Sequence, residues 1–425
     1  MFCFYRLWAY TVLITLYDGV VMTFRSHFLA ILALLCITSV PSIAKTTYDL
    51  AEFTSARTNV FAGPVVIDDE TFFKVSLSPD FKIGGLELGF DLNIYTAEDL
   101  PNDLNTVVLR RIKYDYEEAA GIEAGRLQHV TLGHGLLMDN YDSGSFGSYE
   151  YSNEKAGVRG YIDYSPLRVE ALYTASEVLG TRLVYTVEDS ILLGAPLAFG
   201  ATFIQDNNGI NAISDGIRVS RPEKKSWSAD VSVPIAGKFL TAYTEYAELL
   251  NNKEASGDPT GKGASLGLRG QIFDIFRYRT EYRSLGAGFI PAYFDQNYEA
   301  TSVTNDPIQD KEIQGYLLGA GVDLGSQFKI NATYEDYEDA DPIVSAGVGW
   351  KAIAGVTGVV NYAESFGGND SAVLSSDLLI NSSGTLSYLV HFKRVYHPTG
   401  EETDSYNVGV QANLNNFFKL PFFGN

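Results

Sequence analysis

Phe276-Arg277-Tyr278-Arg279-Thr280-Glu281-Tyr282-Arg283 changes character at every residue. Phe276, Tyr278, Thr280 and Tyr282 take one parity; Arg277, Arg279, Glu281 and Arg283 take the other. Successive side chains on a strand point to opposite faces, so this octet makes one largely aromatic surface and one ionic surface. The same period governs Leu86 to Ile94, where Leu86, Leu88, Phe90, Leu92 and Ile94 alternate with Glu87, Gly89, Asp91 and Asn93. It returns in Val158 to Tyr164, in Phe328 to Glu335 and in Tyr406 to Leu414. Twenty such segments can be marked between residues 57 and 414, among them 121–133, with 57–64 and 180–188 the weakest. The pattern is that of an all-β chain.

Composition agrees. The 425 residues are 46% hydrophobic and 20% charged, which gives ample surface to bury. Tyr (27) and Phe (25) far outnumber Trp (3) and Met (3), and Gly reaches 40, a mix that suits twisted sheet. A formal charge of −21 argues against a nucleic-acid partner, which needs a basic face.

Residues 22–44 read as an export signal: Arg25 supplies the positive start, Phe28 to Ile37 the apolar run, and Ser42-Ile43-Ala44 the small residues before Lys45. The apolar run falls short of the roughly 20 residues that a membrane-crossing helix needs. Residues 1–21 read as an overextended start or an extra segment, with Met22 the expected beginning. Both cysteines, Cys3 and Cys36, precede the cleavage point, so the processed chain has no thiol chemistry and no disulfide. No apolar stretch beyond Lys45 could cross a bilayer as a helix, so a chain that spans must do so as a closed barrel.

Connections alternate in length. Tight turns fall near Ser165-Pro166, Gly237, Asp274, Gly325-Ser326, Ala354 and Ser383-Gly384. Longer polar connections fall near 97–106, 134–155, 206–224, 252–261, 287–311 and 397–402. Short turns at one end, long loops at the other and Tyr or Phe at segment ends are the features of a transmembrane antiparallel up-and-down β-barrel. On these features the chain resembles a Gram-negative outer-membrane β-barrel of the porin kind. The expected barrel fills 45–414 with 16 to 20 strands, about 18 being the central figure, and leaves 415–425 as a tail. The last strand ends near Leu414 rather than in a terminal aromatic, with Phe417 and Phe418 as alternative closing residues.

If the apolar rows face lipid, the ionic rows face the interior. The expected pore-lining residues are Arg111, Lys113, Asp115, Arg159, Asp163, Arg168, Arg269, Arg277, Arg279, Glu281, Arg283, Lys329 and Glu335. Basic members outnumber acidic ones, which predicts a basic wall beneath acidic loops such as that of Asp336, Glu338, Asp339 and Asp341. Replacing Arg277, Arg279 and Arg283 together with glutamate is then expected to move the reversal potential toward cations.

The least barrel-like stretch, Gly125 to Asp142, holds His129 and His134 near Asp139 and Asp142. On one strand the two histidines would point to opposite faces, so a shared metal would need a bend at Gly133. A glycine-rich strand end running into a loop is the simpler reading. Ser143 or Ser145 with His134 and Asp139 lacks a nucleophile-elbow setting. No catalytic residue, metal or cofactor is expected.

What the resemblance implies is passage of small hydrophilic solutes or ions through a charged lumen, with outer-membrane lipid and lipopolysaccharide as surroundings. A homo-oligomer is compatible with it. The alternative is a non-conducting outer-membrane barrel with a structural or adhesive role.

Overall fold

The computed structural model describes residues 47–48, 58–67, 70–96, 107–116, 119–144, 156–188, 195–207, 211–214, 217–220, 224–251, 261–299, 311–364, 372–381, 385–396, 400 and 402–413. The expected segments 1–21, 22–44 and 415–425 and the connection 97–106 lie outside the described residues.

The first strands are β1 (Thr58–Ile67), β2 (Glu70–Ile83), β3 (Leu86–Thr96), β4 (Val107–Tyr116), β5 (Ala120–Gly125), β6 (Val130–Leu132), β7 (Met138–Tyr141) and β8 (Gly157–Tyr164). Next come β9 (Leu167–Thr174), β10 (Val178–Val187), β11 (Leu197–Asp206), β12 (Asn211–Ser214), β13 (Ile217–Ser220), β14 (Lys224–Pro234), β15 (Thr241–Asn251) and β16 (Gly261–Ile272). The rest are β17 (Phe276–Leu285), β18 (Ile313–Asp323), β19 (Phe328–Tyr337), β20 (Ile343–Ile353), β21 (Val356–Glu364), β22 (Ala372–Ile380), β23 (Leu386–Tyr396) and β24 (Glu402–Asn413).

Twenty of these form one sheet in which every pairing is antiparallel and, apart from the closing pair, joins successive wall strands, with the hairpins β6–β7 and β12–β13 standing apart. β1 pairs with β24, Asn59 opposite Asn413, so the sheet closes on itself. Closure satisfies the last edge, as a wall surrounded by lipid requires. Twenty strands exceed the central sequence figure of 18 by two. The weak segments are genuine strands, β1 and β10. On β1 the buried positions are Phe61, Gly63 and Val65, none of them polar, so both faces read as apolar and the alternation fades.

β5 is shorter than the expected 121–133. Gly125, at φ +112°, turns the chain off the wall, and residues 126–144 continue as the β6–β7 hairpin rather than as strand.

The two faces divide as the alternation demands. Leu266, Tyr282, Leu318 and Val408 are exposed, whereas Glu281, Arg283, Asn331 and Asn407 on the opposite parity are buried. Exposed aromatics gather in two rows. Tyr164, Tyr185, Phe199, Phe276 and Tyr388 lie near the turn end; Phe73, Phe203, Trp227, Tyr282 and Tyr316 lie toward the loop end. Such rows mark the two interfaces of a bilayer.

Leu266 stands 64% exposed in the middle of β16. Leu266→Arg should destabilise the barrel in lipid by about 2–4 kcal/mol, read from urea unfolding in vesicles. No loss there would contradict a lipid-facing outer surface.

Candidate functional site

The interior is layered along the barrel axis. On β15 the inward residues run Tyr243, Glu245, Ala247, Leu249 from turn end to loop end; on β17 they run Arg279, Glu281, Arg283, Leu285. Ionic groups thus ring the middle, and apolar residues line the wall above them. Two inward loops occupy that apolar seat. Leu127, Leu132, Leu136 and Met138 of residues 126–144, with Phe289, Phe294 and Tyr298 of residues 286–299, pack against Leu172, Ile204, Leu249, Leu285 and Ile313.

The loops also bind each other. Ala292 N–H donates to the Leu136 carbonyl (2.9 Å), Phe294 N–H to Leu137 (3.0 Å) and Asp139 N–H to the Phe294 carbonyl (3.2 Å). Tyr141 and Ser176 both donate to Glu299, at 2.5 and 3.0 Å, and Tyr298 donates to Asp206 at 2.6 Å. Buried backbone away from the wall needs such partners.

Beneath this core the ionic ring fastens the first loop. The Glu245 carboxylate accepts the N–H groups of His134 (3.0 Å) and Leu136 (3.1 Å) and the Ser228 hydroxyl (2.8 Å). Gly133, at φ +73°, lies so close that a Cβ there would strike that carboxylate. Arg279 donates to Asp139 (2.7 Å), to the His134 carbonyl (2.5 Å) and to Glu281 (2.6 Å). Arg283 donates to Glu281 (2.7 Å), Glu335 (2.7 Å) and the Tyr337 hydroxyl (2.9 Å). Arg182 grips Asp230 at 2.6 and 3.0 Å.

The residues singled out in the sequence therefore divide into two groups. Arg279, Glu281, Arg283 and Glu335 form one continuous chain of ion pairs. Arg269 lies opposite Arg279 in register, over the Tyr243 ring at 5.3 Å. Arg159 and Arg168 both reach Glu170, and Asp163 faces Arg168 in register. Nearer the turn end the charges are more accessible. Arg111 lies 3.5 Å from Glu87 and 3.6 Å from Glu123, Lys113 pairs with Asp115 at 2.9 Å, and Arg277 and Lys329 share Asp323 at 2.8 and 3.4 Å. The expected excess of wall basicity is largely met by carboxylates.

Sequence reasoning missed Glu245 and Asp230. Strand β15 carries Tyr243, Glu245, Ala247 and Leu249 on one parity and Ala242, Thr244, Tyr246, Glu248 and Leu250 on the other, so neither face reads as polar.

The histidines and acids of Gly125 to Asp142 have separate partners. Asp142 pairs with Arg126 at 2.5 Å, Asp139 with Arg279, and His129 with Asn140 at 2.8 Å. His134 stacks on Tyr243 with ring centroids 4.2 Å apart, its Nε2 3.3 Å from Asp230. Burial holds the His134 imidazole down at about 4; Asp230 pulls the other way, while Arg269 and Arg182 add to the depression. The docked ring is therefore neutral at pH 7. Docking should weaken as pH falls from the ordinary value of 6.5 toward 4, by up to about 3 kcal/mol at the acid end. Proteolysis of residues 126–144 in the folded barrel should accelerate across that window. His134→Phe, which keeps a ring but cannot titrate, should flatten the response; an unchanged acid response would assign it to other groups.

A closed antiparallel wall, apolar outside with an aromatic row near each end and ionic within, defines a transmembrane β-barrel. No protein-family model and no curated protein matches this chain. Among solved structures it is similar to Pseudomonas aeruginosa OccK11 (OpdR), at 11% identity over 84% of this chain and 93% of that one, with a TM-score of 0.38. Acinetobacter baumannii OccAB4 gives 10% identity over 84% and 96%, with a TM-score of 0.35. A variant of the Rh. blastica porin gives 9% identity over 84% and 99%, with a TM-score of 0.25.

Proposed function

We propose that this protein is an outer-membrane channel of the porin kind, exported by the signal at 22–44. It passes small hydrophilic solutes or ions through a lumen narrowed by its own loops. The observation that carries this reading is the closed 20-strand wall with its apolar, aromatic-banded exterior and ionic interior. Barrels of about 16–18 strands already enclose more space than wall side chains fill. Here residues 126–144 and 286–299 take up part of that space without covalent closure.

The pore-lining role divides as the geometry divides. Arg111, Lys113, Asp115, Arg277 and Lys329 meet the passing solute near the turn end. Arg269, Arg279, Glu281, Arg283 and Glu335 set the width by holding the loops, and Arg159, Asp163 and Arg168 contribute to the ionic ring. Divalent-bridged lipopolysaccharide is the expected neighbour of the acidic loops on the outer leaflet.

Planar-bilayer recording of the refolded, processed chain should show discrete conductance steps. Arg277→Glu should then shift the reversal potential in a salt gradient toward cations. A folded barrel without steps would overturn the channel reading. An unmoved reversal potential would remove Arg277 from the pathway.

A further inference from the structure

Thr47 and Tyr48 precede the first strand, yet they lie inside the barrel. Thr47 is 1% exposed. Its hydroxyl lies 3.3 Å from His129 Nδ1 and accepts from Asn140 Nδ2 at 3.4 Å, both on the first inward loop. Asn140 in turn bonds Gln296 of the second loop. Tyr48 makes a two-point contact with the wall: its N–H donates to Asn361 Oδ1 at 2.8 Å, and its carbonyl accepts from Asn361 Nδ2 at 2.9 Å. Asn361 is buried on β21, among the strands across the barrel from β9 to β11, where the first loop is seated.

Chain geometry fits this route. β1 begins at Thr58, at the turn end. Asn361 lies six residues above Gly355 of the turn before β21, roughly 20 Å up the wall at about 3.3 Å per residue. The ten steps from Tyr48 to Thr58 can span roughly 33 Å. Ten steps therefore suffice to join Tyr48 at its height on β21 to Thr58 at the turn end. Because Asn361 pairs with the Tyr48 backbone, the wall fixes the height of the segment whatever side chain stands at position 48.

We propose that Thr47 and Tyr48, just beyond the expected cleavage point, form an internal strap. It ties the first inward loop, and through the Asn140–Gln296 bond the second, to β21 and narrows the passage beside them. The proposal rests on the channel reading only for its effect on conductance; the seating of the strap can be tested without it.

The test uses the full chain with Cys3 and Cys36 replaced by serine, carrying Thr47→Cys with Asn140→Cys. Oxidation of the folded barrel should form the 47–140 disulfide, found by peptide mapping, and should lower conductance relative to the reduced form. Asn361→Ala, which leaves the loop contacts intact, should expose the segment to added protease. It should also raise single-channel conductance by roughly one and a half to two times, since an extended chain occupies a strip of about 5 by 10 Å. Failure to cross-link in a folded barrel, or a strap already open to protease in the parent chain, would overturn the proposal. Equal conductance in parent and Asn361→Ala would overturn its narrowing role. A barrel that cross-links yet never conducts supports the seated strap and overturns the channel reading instead.

Discussion

Glu245→Ala should release the first inward loop and enlarge the conductance steps, while the barrel remains folded. The substitution leaves the N–H groups of His134 and Leu136 buried without their acceptor. An unsatisfied buried donor costs about 1–3 kcal/mol, so two of them approach the stability of a docked loop. The wall is little affected, because the β14–β15 and β15–β16 ladders run through backbone atoms. Heat-modifiable gel mobility should therefore persist while conductance and its open-state noise both rise. Unchanged steps would mean that the apolar contacts of the loop hold it without the carboxylate.

A larger loss is expected for Arg279→Leu. This guanidinium joins the loop, through Asp139 and the His134 carbonyl, to the wall, through Glu281. Its removal leaves Asp139 with Thr131 alone among its described side-chain partners, and Glu281 with Arg283 and Tyr243. Breaking one side of a buried ion-pair network costs about 3–5 kcal/mol. The variant should refold in lower yield and unfold at lower urea than Glu245→Ala. Equal stability of the two would show that Arg279 is not the main fastener. The exchange of Arg277, Arg279 and Arg283 together for glutamate is accordingly a poor probe of ion selectivity. It would place three carboxylates against Asp323, Asp139, Glu281 and Glu335 and disturb loop docking before any effect on permeation could be read. Arg277, the most accessible of the three, is the informative single site.

Much of the fold is legible along the chain. Phe276 to Arg283 and Leu86 to Ile94 fix strand, face and orientation because the side-chain period of a strand is two. Tight turns at Ser165-Pro166, Asp274 and Ala354 fix which end is which, and an even strand number sends both ends of the barrel sequence to the turn end. Legibility fails where the inward face stops being polar. Ala247 and Leu249 on β15 face inward under the docked loops, and Phe61 and Val65 on β1 face inward in an apolar cluster with Leu379 and Leu389 of the wall, so alternation of polarity vanishes while alternation of direction persists. That is why Glu245 escaped notice; the strand after Ala120 looked longer than it is because the chain leaves the wall at Gly125.

By itself the sequence determined an antiparallel barrel with greasy residues outward and charged residues inward, because hydrocarbon and water sort side chains residue by residue. Which charge meets which was beyond it. Arg279 finds Asp139 across 140 positions, and Glu245 finds the His134 backbone across 111, only after closure brings wall and loop together. Short-range periodicity carries no record of such distant partners. Their pairing turned an expected basic wall into a nearly neutral clasp, and tertiary structure alone made that decision.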